Sequence, residues 1–142
     1  MESVSEKPDL ADTSVWARSG KPGLESFAAA LEEGRIAVCD QVVMELLWSA
    51  QNLADFRQTE AALLACPWFA VEPADWIEAR RVFRELAARG PLHHRQVKIP
   101  DLLIAAVAAR NGLTVIHYDN DYDVIASVTG QPTRWAAPRG TL

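Results

Sequence analysis

The run Lys98-Ile99-Pro100-Asp101-Leu102-Leu103-Ile104-Ala105-Ala106-Val107-Ala108-Ala109-Arg110-Asn111-Gly112, followed at once by Leu113-Thr114-Val115-Ile116-His117-Tyr118-Asp119-Asn120-Asp121-Tyr122, constrains the fold more than any other part of this chain. Pro100 suits the first turn of a helix, where its missing N–H is no loss, and Asp101 then lies at the positive end of the helix dipole. From Leu102 to Ala109 the segment is apolar all round, so the helix is expected to be enclosed by other elements. Gly112 ends it. Thr114 to Tyr118 reads as a short β-branched strand that delivers Asp119 and Asp121 to its C-terminal edge, where parallel α/β sheets bind their ligands. A carboxylate therefore stands at each end of a buried helix-strand unit.

A length of 142 residues suits one domain with a sizeable core. Residues 1–8 read as a flexible lead and residues 9–142 as the domain. No apolar run approaches the roughly 18 residues of a membrane span. The first residues, with Glu2 and Glu6, have no secretory apolar core, so the cytoplasm and no membrane are expected. Cys39 and Cys66 stand alone, without the spacing of a zinc or redox motif, and read as reduced thiols. The net charge of −5 argues against coating nucleic acid by charge alone. Locally, however, Arg80, Arg81, Arg84, Arg89, Arg95 and Lys98 are opposed only by Glu85, with His93 and His94 in the same window. That window is either a solvated helix face, with arginines packed by their stems, or a surface for phosphates.

Strands are expected at Asp9–Asp12, Ile36–Cys39, Phe69–Val71, Thr114–Tyr118 and Thr133–Ala136. Helices are expected at about 24–33, 41–52, 55–64, 74–88, 100–111 and 122–128, with a short one capped by Thr13-Ser14 and Asp40 as a further cap; residues 90–97 read as a loop. Strands alternating with helices imply a mainly parallel sheet covered on both faces.

Asp12 closes the first strand, Asp119 closes a later one, Asp101 opens a helix, and Glu45 lies within a helix. Singly, each has an ordinary reading: Glu45 shares a stripe with Gln41, Ser49 and Asn52 that suits a solvent face, and the aspartates suit caps and turns. Converging, they form a cation trap, because two carboxylates about 5 Å apart repel by roughly 3 kcal/mol at an effective dielectric near 20. Oxygen ligands of this kind suit Mg²⁺ or Mn²⁺, which can activate water against a phosphodiester. No GxGxxG appears, nor GxxxxGK followed by Ser or Thr, which removes dinucleotide and P-loop readings. A phosphotransfer receiver also gathers acids at strand ends, but no lysine follows Lys98 to supply its cation.

The strings Leu10-Ala11-Asp12-Thr13-Ser14-Val15-Trp16, then Glu45, then Ile99-Pro100-Asp101-Leu102-Leu103-Ile104-Ala105-Ala106, then His117-Tyr118-Asp119-Asn120-Asp121-Tyr122, resemble the PIN-domain ribonucleases. Within that family they look most like the VapC toxins of bacterial toxin–antitoxin systems. The resemblance runs from about Asp9 to Trp135 and implies a PIN-like α/β/α sandwich over residues 9–142. It implies a Mg²⁺- or Mn²⁺-dependent endoribonuclease whose acidic quartet is Asp12, Glu45, Asp101 and Asp119. In that carry-over Asp12, Asp101, Asp119 and Asp121 hold metal, and a hydroxyl of Thr13 or Ser14 steadies Asp12. A homodimer and a cognate VapB-type antitoxin are implied partners. Arg84, Arg89, His93, His94, Arg95 and Lys98 are the residues expected to meet the RNA substrate. Where many members carry Thr or Ser two residues before the fourth acid, this chain has His117, expected as a ring packed at a strand end. The alternative is a PIN-like module of weak catalysis that binds RNA or builds a complex.

Overall fold

The computed structural model describes residues 7–142, so the lead expected over residues 1–8 lies, apart from Lys7 and Pro8, outside the described residues. In chain order the elements are β1 (Asp9–Ala11), α1 (Thr13–Trp16), α2 (Glu25–Glu32), β2 (Ile36–Cys39), α3 (Asp40–Trp48), α4 (Leu53–Leu64), β3 (Trp68–Phe69), α5 (Pro73–Ala88), α6 (Ile99–Asn111), β4 (Val115–His117), α7 (Asp121–Thr129) and β5 (Thr133–Trp135). The strands form one parallel sheet in the order β3-β2-β1-β4-β5. Leu10 is paired with Ala37 on one side and Val115 on the other, which makes β1 the centre of the sheet.

Alternation along the strands divides the core between two faces. Leu10, Ala37, Cys39 and Val115 pack with the buried sides of α5, α6 and α7. Ala11, Ile36 and Ile116 point the other way, toward Val15, Leu24, Phe27 and Ala30 of the segment that includes α1 and α2. The expected α/β/α sandwich is thus what the chain forms. As its composition requires, α6 is enclosed, with every residue from Asp101 to Ala108 buried. It ends where Gly112 adopts φ +69°, a left-handed conformation that costs glycine little.

Three local expectations are corrected. Asp12, and not Thr13-Ser14, caps α1, its side chain accepting from the Ser14 N–H. The helix expected to run to Asn52 stops at Trp48, because the Asn52 side chain accepts from the Asp55 N–H at 2.8 Å and starts α4 instead. Asp40 is the first residue of α3 rather than its cap; its carboxylate accepts from Trp68 Nε1 at 3.0 Å and the Val71 N–H at 2.6 Å, binding α3 to the β3 edge. The 90–97 loop contains a single 3₁₀ turn, His93–Gln96, entered through Leu92 at φ +62°.

One buried ion pair joins α5 to α6. Asp75 accepts from Arg110 Nε at 2.8 Å and Nη2 at 2.9 Å, and also from the Glu72 N–H at 2.8 Å, while Arg110 donates to the Ala70 carbonyl. Asp75 is buried and Arg110 only partly so, so removing the arginine leaves a desolvated carboxylate without its counter-charge. Arg110→Met is therefore expected to lower unfolding free energy by about 2 kcal/mol in urea denaturation; an unchanged midpoint would show that Asp75 needs no counter-charge.

Candidate active site

The carboxylates gather where strand ends and helix starts meet. Asp12 follows β1; its Oδ2 accepts from the Ser14 N–H at 2.9 Å and its Oδ1 from the Tyr122 hydroxyl at 2.6 Å. It is the Ser14 backbone, and not a Thr13 or Ser14 hydroxyl, that steadies Asp12. The Ser14 hydroxyl instead accepts from the Tyr118 N–H at 2.9 Å, which fastens the start of α1 to the end of β4. Asp101 occupies the first turn of α6 and is 3% exposed. Asp119 follows β4 and accepts from the N–H of Asp121, the first residue of α7, at 2.9 Å. One ligand oxygen each from Asp101, Asp119 and Asp121 lies within 4.8 Å of the others.

Glu45 reaches the same region from α3. It is half-buried, with Thr13 and Gln41 beside it, and one of its carboxylate oxygens is buried without a partner among the described residues. Burial first, and then the charge of Asp12, raise its pKa above the ordinary glutamate value. The polar stripe that suited a solvent face is thus turned at Glu45 toward the acids.

Burial first, and neighbouring charge second, shift protons within the cluster. Burial, followed by the charge of Asp12, pushes Asp101 up to about 8. Asp121 moves the other way: burial opposes its ionisation, but hydrogen bonds from Asp101 and Lys98 outweigh it and lower its pKa. A proton is thus held on Asp101 while Asp121 stays charged. Tyr122 is fully buried, and burial together with Asp12 and Asp101 holds its hydroxyl well above its ordinary pKa, so it remains a donor. Burial lowers the pKa of His117 despite the acids Asp123, Asp12 and Asp119. Its Nδ1 accepts from the Asp119 N–H at 3.2 Å, and its ring lies 5.0 Å from those of Tyr122 and Trp135, a packed ring at a strand end as expected.

Two residues of the basic window are tied to other elements. Lys98, expected at RNA phosphates, is turned into the acids, with Nζ 2.8 Å from Asp119, 2.9 Å from Asp121 and 3.4 Å from Asp101. Arg89 donates to the Ser127 hydroxyl at 2.8 Å and carbonyl at 3.1 Å, docking α5 on α7. His94 meets Phe83 edge-on at 5.2 Å between centroids, and Nδ1 of both His93 and His94 is buried without a partner. Arg84 and Arg95 are exposed. A cleft of about 590 Å³ opens beside Glu45, lined by Thr13, Ala17, Met44, Leu46, Trp48 and Ser49. Met44 and Trp48 on its rim are 66% and 88% exposed.

Sequence reasoning did not place Tyr122 or Lys98 among the acids. Tyr122 reads as one more core aromatic, and only its place three residues after Asp119 hints that it returns to the cluster. Lys98 stands three residues before Asp101, a spacing at which side chains meet on a helix, but its basic neighbours suggested a shared outward face.

A donor set of oxygens alone, with Asp101 Oδ2 buried and unpartnered among the described residues, suits a hard divalent cation. Fold and site together define a parallel α/β/α domain that collects carboxylates at the carboxyl edge of its sheet. A family model described as PIN domain matches residues 10–128. Ribonuclease VapC18 of Mycobacterium tuberculosis is 43% identical over 132 residues, covering 92% of this chain and 96% of that protein. Ribonuclease VapC51 of the same organism is 40% identical over 134 residues, covering 94% and 96%. A chain of the DNA-bound VapBC crystal structure from Salmonella typhimurium shares the fold, with a TM-score of 0.68 at 18% identity over 93% of this chain and 100% of that one. One from VapBC-5 of Mycobacterium tuberculosis aligns with a TM-score of 0.52 at 26% identity, covering 92% and 98%. The chain belongs to the PIN domain family and, within it, to the VapC group.

Because folding raises the Asp101 pKa above its ordinary value near 3.9, this carboxyl weakens the metal-free fold as pH climbs from about 4 to about 8. Asp101→Asn removes that charge and keeps the shape. Measured in chelator by chemical denaturation, the stability of the variant relative to the parent chain is expected to grow by ~1–3 kcal/mol between about pH 5 and about pH 8. A difference that stays flat with pH, or falls, would contradict the assigned strain.

Proposed function

We propose that this chain is the toxin of a VapBC-type pair, a cytoplasmic endoribonuclease that depends on Mg²⁺ or Mn²⁺. The observation that carries the reading is the meeting of the Asp101, Asp119 and Asp121 oxygens within 4.8 Å of one another, around the unpartnered Oδ2 of Asp101. Asp12, Asp101 and Asp119 hold the metal, with Asp121 assisting. When bound, such an ion lowers the pKa of water and neutralises charge that develops on a phosphodiester.

The remaining steps belong to the side chains. Tyr122 and the Ser14 N–H fix the Asp12 carboxylate in one orientation, so its geometry is set before substrate arrives. Glu45, whose raised pKa favours proton uptake, accepts the proton of the attacking water through its unpartnered oxygen. Arg84 and Arg95 meet phosphates of the RNA chain outside the scissile bond. The apolar cleft at Met44 and Trp48, which begins at Glu45, suits a segment of a VapB-type antitoxin that covers the acids. The names of the Ribonuclease VapC relatives and of the VapBC structures support both the activity and the partner. A homodimer is the proposed assembly.

Cleavage of RNA is expected to need Mg²⁺ or Mn²⁺ and to stop in EDTA. Glu45→Gln is expected to lower kcat by about 100-fold or more, with RNA affinity little changed, because it removes a proton acceptor and not a binding group. Retained RNA binding with no metal-dependent cleavage in the parent chain, checked with Asp101→Asn as the background control, would return it to the RNA-binding module reading.

Neutralising both Arg84 and Arg95 tests the phosphate contacts separately. If both meet single-stranded RNA, the slope of log K against log salt flattens by roughly 0.7 per lost contact, and the loss falls on KM. An unchanged affinity and slope would move the RNA path to another face.

A further inference from the structure

We propose that Lys98 is a tethered cation that occupies the carboxylate cluster in competition with the divalent ion, and so sets how tightly that ion binds. The proposal rests on the metal-dependent reading above. The three acids whose oxygens meet within 4.8 Å of one another, Asp101, Asp119 and Asp121, are the three that the Lys98 ammonium faces. Each of these contacts is made through an Oδ2 atom, so one positive charge balances the whole group.

Two features set this apart from a surface ion pair. The acids are largely buried and the cation is not: the side chains of Asp101 and Asp121 are 4% and 13% exposed, whereas that of Lys98 is 62% exposed. The ammonium also fails to satisfy what it balances, because Asp101 Oδ2 has no hydrogen-bond partner among the described residues although Nζ stands 3.4 Å away. An under-coordinated oxygen beside a solvent-exposed charge is the arrangement in which a better cation displaces a poorer one. Lys98 can leave without loosening the fold, since its backbone N–H donates separately to Asp121 Oδ2 at 2.9 Å and keeps the entry of α6 on the start of α7. The displaced ammonium is then free at the rim of the site, able to pair with an RNA phosphate. Metal uptake and the RNA-binding role expected for Lys98 become successive states of one side chain.

A competitor differs from a structural counter-ion in what its removal does to metal binding. Lys98→Met keeps the aliphatic stem and deletes the charge. Calorimetric titration of Mn²⁺ into the metal-free full chain, at one pH, is expected to show binding in the parent chain and none in Asp101→Asn. In Lys98→Met binding is expected to be about three- to fivefold tighter, the upper end of the scale for an exposed ion pair. Lys98→Arg should show no such gain. Mn²⁺ affinity equal to or weaker than that of the parent chain in a folded Lys98→Met overturns the proposal and leaves the metal reading intact. No Mn²⁺ uptake by the parent chain overturns both. Should the methionine variant not fold without metal, Lys98→Gln carries the same comparison.

Discussion

Like-charge crowding around Asp101 is the constraint that the rest of this structure answers. Asp12, Asp101 and Asp121 are all buried, and each would be neutral or expelled in a core without compensation. Compensation comes from several sources at once. Asp101 and Asp121 occupy first turns of α6 and α7, where unsatisfied N–H groups and the helix dipole favour negative charge. Backbone N–H groups of Ser14, Lys98 and Asp121 donate into the cluster, to Asp12, Asp121 and Asp119 respectively. Tyr122 adds a hydroxyl and Lys98 a full positive charge. Only a parallel sheet sends strand ends and helix starts to the same edge, so the topology and the charge problem have one solution between them.

Rigidity of that edge is bought by the apolar half of the molecule. Because α6 is buried from Asp101 to Ala108, its first turn cannot shift to relieve the acids without disturbing both α5 and the sheet. The Asp75–Arg110 pair secures the other end of the same helix. The Ser14 hydroxyl fastens α1 to β4 across a long stretch of chain, and with it the positions of Asp12 and Asp119. Asp101 therefore stays desolvated beside Asp12, and burial first, with that neighbouring charge second, raises its proton affinity while the backbone stays regular.

The alternation of strands and helices was legible because each strand is short, β-branched and bounded by acids or turns, and because α6 has an apolar composition that nothing but enclosure explains. The meeting of Asp101, Asp119 and Asp121 at one edge was legible from the order of acids along the chain and not from any single spacing. Side-chain direction was less so. Glu45 shares its stripe with Gln41 and Ser49, and a polar stripe looks the same whether it meets water or other acids. Lys98 precedes the helix at an extended backbone position, where the reach of the side chain allows either the basic surface or the acidic cluster. Local charge density suggested the former, but three carboxylates in a half-buried setting attract more strongly than water does. Asn52 was assigned to the helix before it because periodicity does not reveal which of two neighbouring helices a capping side chain serves.

The site is also unequal among its acids, and the inequality follows from who donates to whom. Asp12 has a donor on each oxygen, so its orientation is settled and its remaining lone pairs point where the protein directs them. Asp101 has an Oδ2 without a hydrogen-bond partner among the described residues and a pKa raised by burial, so its carboxyl favours the protonated form. Tyr122 links the two, because its hydroxyl donates to Asp12 while burial and the pair of carboxyls keep it from ionising. A phenylalanine would fill the same space but leave Asp12 Oδ1 without its donor, returning the first carboxylate to the same unsatisfied condition as Asp101. One settled acid and one unsettled acid, joined through a tyrosine, give the cluster both a fixed frame and a position that responds to what binds there.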